Sequence, residues 1–119
     1  MDKALREEII GKTKALIDAP SCSREAREAG ERWLSAAGTD AEDTETRAFL
    51  QELEADIMPI DSLIAFARSE KGQAYFGADT AAGIAAHAET IKAAGARYCD
   101  CPACAAAEAI LARKDAMLA

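Results

Sequence analysis

The amino-acid sequence predicts an all-α protein, an irregular bundle of five to six helices joined by short loops. Three observations predict it. Apolar residues recur at helical spacing through most of the chain. Residues that start and stop helices stand at the ends of those stretches. No stretch alternates apolar and polar residues with the period of a strand, and β-branched residues are scarce. The 119 residues suit a single helical domain over 1–119, with a cysteine-rich loop at 96–104.

Asp2 caps the first predicted helix, whose Leu5, Ile9, Leu16 and Ile17 share a face before Pro20 stops it. Ser21 and Ser23 are candidate caps for a second helix that carries Trp33 and Leu34 and ends at Gly38. Thr39 and Glu42 have the T-x-x-E spacing of a capping box, followed by Phe49, Leu50, Leu53 and Ile57 on one face. Pro59 opens a fourth helix with Ile60, Leu63, Ile64 and Phe66 turned inward. Residues 69–77 read as one helical turn and then a loop. A fifth helix spans about 79–94, with Ile84, His87, Ala88 and Ile91 on its inner stripe and Gly95 closing it. Pro102 suits the first position of a last helix carrying Ile110, Leu111, Met117 and Leu118.

Thirty of the residues are alanine, half of all the hydrophobic ones. Alanine favours helix but buries little area, so the core is lean, and a lean core gains from a metal or a disulfide. A net charge of -7 without a cluster of Lys and Arg argues against nucleic acid and anionic membrane surfaces. No apolar run approaches the roughly 20 residues that span a bilayer. The charged N-terminal stretch lacks the apolar core of a secretory signal. The expected location is the cytoplasm, where closely spaced cysteines mean metal or redox chemistry rather than structural disulfides.

Those cysteines form the run Tyr98-Cys99-Asp100-Cys101-Pro102-Ala103-Cys104, a C-x-C-x-x-C pattern. Gly95 and Pro102 provide the turn that lets three thiols converge. Cys101 falls at the N-cap of the last helix and Cys104 at N3, where unpaired backbone N–H groups and the helix dipole favour thiolate. A closed tetrahedral site needs a fourth ligand. Cys22, also at a predicted helix start, is the preferred one, and His87 is the alternative. Each also has a plainer account, Cys22 as a small buried hydrophobe and His87 as a core residue. Packing does not explain three cysteines in six residues.

Thiolate ligands suit zinc or an iron–sulfur cluster. The spacing is close to that of zinc knuckles, which favours a structural zinc site in a helical binding or scaffold module. The alternatives are a thiol redox protein or sensor using Cys101-Pro102-Ala103-Cys104, and an iron–sulfur electron-transfer protein. Redox enzymes of the C-x-x-C kind place the motif after a strand, and no strand is predicted. The acidic groups at 42–45 and 52–56 read as solvated helix faces. With one histidine and no acid–base pair, the sequence leans away from an enzyme.

The segments Ala19-Pro20-Ser21-Cys22, Ile57-Met58-Pro59-Ile60-Asp61 and Ala94-Gly95-Ala96-Arg97-Tyr98-Cys99-Asp100-Cys101-Pro102-Ala103-Cys104 resemble a family of short bacterial proteins labelled heat-shock-90-type molecular chaperones. The likeness runs along most of the chain and is most specific in the last segment. It implies no activity here. The ATP-binding domain of a ninety-kilodalton chaperone is an α/β sandwich, and this chain has neither the length nor the nucleotide motifs for one. No ATP site and no client-binding role carries over.

Overall fold

The computed structural model describes residues 1–119. The chain is all-helical with eight helices: α1 Lys3–Asp18, α2 Arg24–Ala36, α3 Glu42–Asp56, α4 Ile60–Arg68, α5 Glu70–Phe76, α6 Ala78–Ala93, α7 Pro102–Leu111 and α8 Lys114–Leu118. The expected five to six becomes eight for two reasons. Residues 69–77 hold a full short helix, α5, because Ser69 caps it by accepting the Gly72 N–H at 3.0 Å. The last predicted helix breaks after Leu111, and the turn at Ala112 and Arg113 lets Met117 on α8 become buried. No helix is long and apolar enough to cross a membrane.

The chain divides into two compact units, Met1–Ile57 with Asp100–Ala119, and Met58–Cys99. The first contains α1, α2, α3, α7 and α8. Leu5, Ile9 and Leu16 of α1 are buried, as are Trp33 of α2, Phe49, Leu50 and Leu53 of α3, and Ile110 of α7. The rings of Trp33 and Phe49 stack with centroids 6.1 Å apart. Trp33 donates its indole N–H to Thr46 Oγ1 at 2.9 Å, so the one polar atom of the largest core side chain is satisfied. Helices α1 and α2 approach closely at Gly30, where a Cβ would meet Thr13 and Ile17 side chains at 3.2–3.4 Å.

Several caps form as expected. Asp2 accepts the Leu5 N–H at 2.8 Å and Ser23 accepts the Ala26 N–H at 3.1 Å. Gly38, just past α2, has a φ of 78° and lets the chain reverse. The Thr39–Glu42 capping box does not form. The N-cap of α3 is Ala41, with no side-chain bond. Thr39 Oγ1 instead donates to Ala36 O at 2.6 Å, and Glu42 is drawn into a bidentate pair with Arg6 of α1 while accepting the Gly38 N–H at 3.1 Å. A long-range guanidinium outcompetes the local cap because a charged, mostly buried pair is the stronger bond.

The second unit is α4, α5 and α6. Its buried residues are small: Ala67, Gly72, Ala81, Ala85 and Ala88, with Ile60 the only large one. Phe66, expected inside, is at the surface, where it meets Tyr75 and Phe76 edge to face. The expected inner stripe of α6 is also rotated. Ala81, Ala85 and Ala88 are buried, while Ile84 and Ile91 are half-buried and His87 is exposed. Residues after Gly95 return alongside the start of α4. Ile60 donates to Arg97 O at 2.8 Å and Cys99 to Met58 O at 2.9 Å, around a single antiparallel bridge between Pro59 and Tyr98.

Candidate metal centre at Cys99, Cys101 and Cys104

The site is built on one hexapeptide. The backbone of Cys99 is fixed by its N–H bond to Met58 O. Two residues later Cys101 takes the N-cap position of α7, with extended backbone at φ -59° and ψ 156°. Pro102 follows at N1, where its missing N–H is no loss and its fixed φ already suits a helix. Ala105 N–H then closes the first turn onto Cys101 O at 2.9 Å. Cys104 therefore lies one turn along, over Cys101, as its N3 position requires.

The outcome is convergence. The Sγ atoms of Cys99, Cys101 and Cys104 all lie within 4.8 Å of one another, and all four cysteines of the chain are present as thiols. With zinc–sulfur bonds of about 2.3 Å, tetrahedral thiolates stand about 3.8 Å apart, so closure on a metal asks for at most about an ångström of side-chain movement. Cys99 and Cys101 are half-buried. These three closely spaced cysteines could hold a metal ion.

The helix start prepares one thiol directly. Cys101 Sγ accepts the Cys104 N–H at 3.4 Å. The expectation that thiols sit over backbone N–H groups at this helix start is met at Cys101. The N–H of Ala103, at N2, goes to Ser21 Oγ at 3.2 Å. Ser21, read from the sequence as a cap of α2, thus caps α7 instead, a partnership across 82 positions that no local pattern announces.

Cys22 and His87 are not in this cluster. Cys22 stands just before the N-cap Ser23 of α2, is 8 % exposed, and donates its thiol to Ser23 O at 3.4 Å. Burial pushes its thiol above the usual range, with Asp56 adding to the effect and Arg27 opposing it. It shares a cavity of about 130 Å³ with Cys104, lined also by Ser21, Asp56, Leu16 and Leu53. His87 is on the exposed side of α6, because the close packing of α4 against α6 selects the small Ala81, Ala85 and Ala88 for the inner face. A wider groove of about 540 Å³ lies along α2 and α3, lined by Glu28, Glu31, Arg32 and Glu45, and holds no thiol.

No family model, no curated protein and no solved structure matches this chain.

Proposed function

We propose that the chain is a metal-stabilised helical binding or scaffold module of the cytoplasm in which Cys99, Cys101 and Cys104 hold zinc. The convergence of the three Sγ atoms within 4.8 Å carries the proposal. The donor chemistry supports zinc, since thiolates favour borderline-soft ions over magnesium or calcium. The lean, alanine-rich core of the chain supports a bound ion as reinforcement, adding stability that apolar burial does not.

Metal analysis on chain purified anaerobically, reduced and without added metal tests this. About one zinc per chain is expected, with no visible absorption, and a lower melting temperature after chelation. A chain that contains no metal and whose melting is unchanged by added zinc would overturn it. Iron with visible absorption would move the site to an iron–sulfur cluster.

Thiol redox chemistry is the second reading, favoured by the Cys104 N–H that Cys101 Sγ accepts at the start of α7. It requires Cys101 to alkylate quickly at neutral pH and Cys101 and Cys104 to close a reversible disulfide. Slow and equal labelling of all four cysteines in metal-free chain would exclude it.

A further inference from the structure

We propose that Cys22 is the fourth ligand of the Cys99, Cys101, Cys104 site, its thiol turning from Ser23 O into the cavity it shares with Cys104 when a metal binds. This rests on the assignment of the cluster as a zinc site. It makes that site a closed one, with four thiolates and no place for water or substrate.

Two observations carry it. The first is the docking of the turn between α1 and α2 on the start of α7. Ser21 Oγ accepts the Ala103 N–H at 3.2 Å, and Cys22 and Cys104 are the residues that follow this bonded pair on either side. The second is the space they share. Cys22 and Cys104 line one cavity of about 130 Å³, where about 10–15 Å³ suffices for a water, so a sulfur has room to move and an ion to enter.

Little opposes the movement. The Cys22 thiol donates to Ser23 O at 3.4 Å, a weak bond that ends in any case when the thiol gives up its proton. Turning from one staggered χ1 position to another carries a sulfur about 3 Å with the backbone at rest. The bonds of Cys22 N–H to Ala19 O and of Ala103 N–H to Ser21 Oγ, at 3.0 and 3.2 Å, are therefore kept. On binding, the Cys22 thiol releases its proton to water and its sulfur bonds the ion, as at the other three thiols. The ion then fastens the turn between α1 and α2 to the start of α7, a long closure in a chain with a lean core.

The test is the count of thiolate sulfurs. The full chain, reduced with a phosphine and isolated as a monomer, is loaded with zinc or cobalt and studied by X-ray absorption and visible spectroscopy, beside Cys22→Ser. Four sulfurs are expected in the wild type. The chain has four cysteines, so four thiolates on one ion in a monomer must include Cys22, whether or not C22S folds. In C22S three sulfurs and one lighter donor are expected, with thiolate-to-cobalt absorption about a quarter weaker. Three sulfurs and a lighter donor in the wild type, as ligation by Asp56, Asp100, His87 or water would give, would overturn the proposal and leave the zinc site standing. Unchanged absorption in folded C22S would overturn it as well. A chain that retains neither ion would remove the zinc site itself.

Discussion

Replacing Gly72 with alanine sets two opposed effects against each other. Gly72 lies in the first turn of α5, and on helix propensity alone alanine there should stabilise by about 1 kcal/mol. The packing says otherwise. A Cβ at this position would sit 1.8 Å from Phe66 O, 2.7 Å from Phe66 C and 3.1 Å from Ala67 Cα. All three are backbone atoms of α4, so no side-chain rotation relieves the clash. Ordinary contact needs about 1.5 Å more room, and α5 must move away from α4 to find it. That movement strains the Ser69 corner, where Ser69 Oγ accepts from Gly72 and donates to Phe66 O at 2.6 Å. Overpacking of about 1–3 kcal/mol plus about 1 kcal/mol for the weakened cap, less the propensity gain, gives a net loss of about 1–3 kcal/mol. Gly11 and Gly83 are matched controls. Both are exposed within helices with nothing within 4 Å of a new Cβ, so alanine there should stabilise by about 0.5–1 kcal/mol. Urea melts followed by far-ultraviolet circular dichroism read all three as shifts of midpoint at constant slope. A G72A midpoint at or above that of the wild type would refute the packing account.

Thr46→Val keeps the shape of the core but leaves the Trp33 indole N–H without its acceptor, which should cost about 1–3 kcal/mol in a melt followed by the single tryptophan. Thr13→Val should do the reverse, stabilising by about 1 kcal/mol, since Thr13 Oγ1 is buried with no hydrogen-bond partner. Arg6, and then the Gly38 N–H, hold the Glu42 carboxyl below the ordinary carboxylate range. A depressed folded value means its contribution is complete above the unfolded pKa of about 4.3 and fades as pH falls through that value toward the folded one. The difference in melting temperature between wild type and Glu42→Gln should therefore be widest near neutrality and shrink in acid, and a pH-independent gap would contradict this. Cys101→Ser should keep or raise the stability of metal-free chain while abolishing its response to added zinc, measured as the change in melting temperature on loading.

Much of this architecture is legible locally. Asp2, Ser23, Pro59, Gly38, Gly95 and Pro102 all act at helix ends as their chemistry requires. What escapes the sequence is set by distant partners. Glu42 leaves the cap of α3 because Arg6 is within reach, and nothing near either residue encodes that. Residues 69–77 read as one helical turn and a loop, yet α5 forms, with Gly72 at the place where close approach to Phe66 O demands a glycine. In α6 the error has another source. Periodicity weighs side chains by hydrophobicity, which favours Ile84 and Ile91, whereas closely packed helices select for small size, which favours Ala81, Ala85 and Ala88. His87 was carried inward with the isoleucines. The cysteine run is legible because it is contiguous, with Gly95 before it and Pro102 within it providing the turn. The placement of Cys22 depends on how Ser21 docks on α7, and is not.

The same residue begins α7 and contributes a thiol to the cluster, and this joins fold to chemistry. Serine at the N-caps of α2 and α5 accepts its N–H at 3.1 and 3.0 Å, while the Cys101 sulfur does so at 3.4 Å. Sulfur is the weaker acceptor, and serine is the better cap by the ordinary preferences of helix starts. A chain that uses serine or aspartate at three other helix starts has given up capping strength at this one. What it holds in exchange is a sulfur that the helix start bonds through the Cys104 N–H, within 4.8 Å of the other two thiols. Folding the start of α7 brings Cys101 and Cys104 together, while the backbone of Cys99 is held by its own bond to Met58 O. A metal bound there would stabilise the helix start through the same sulfur that caps it.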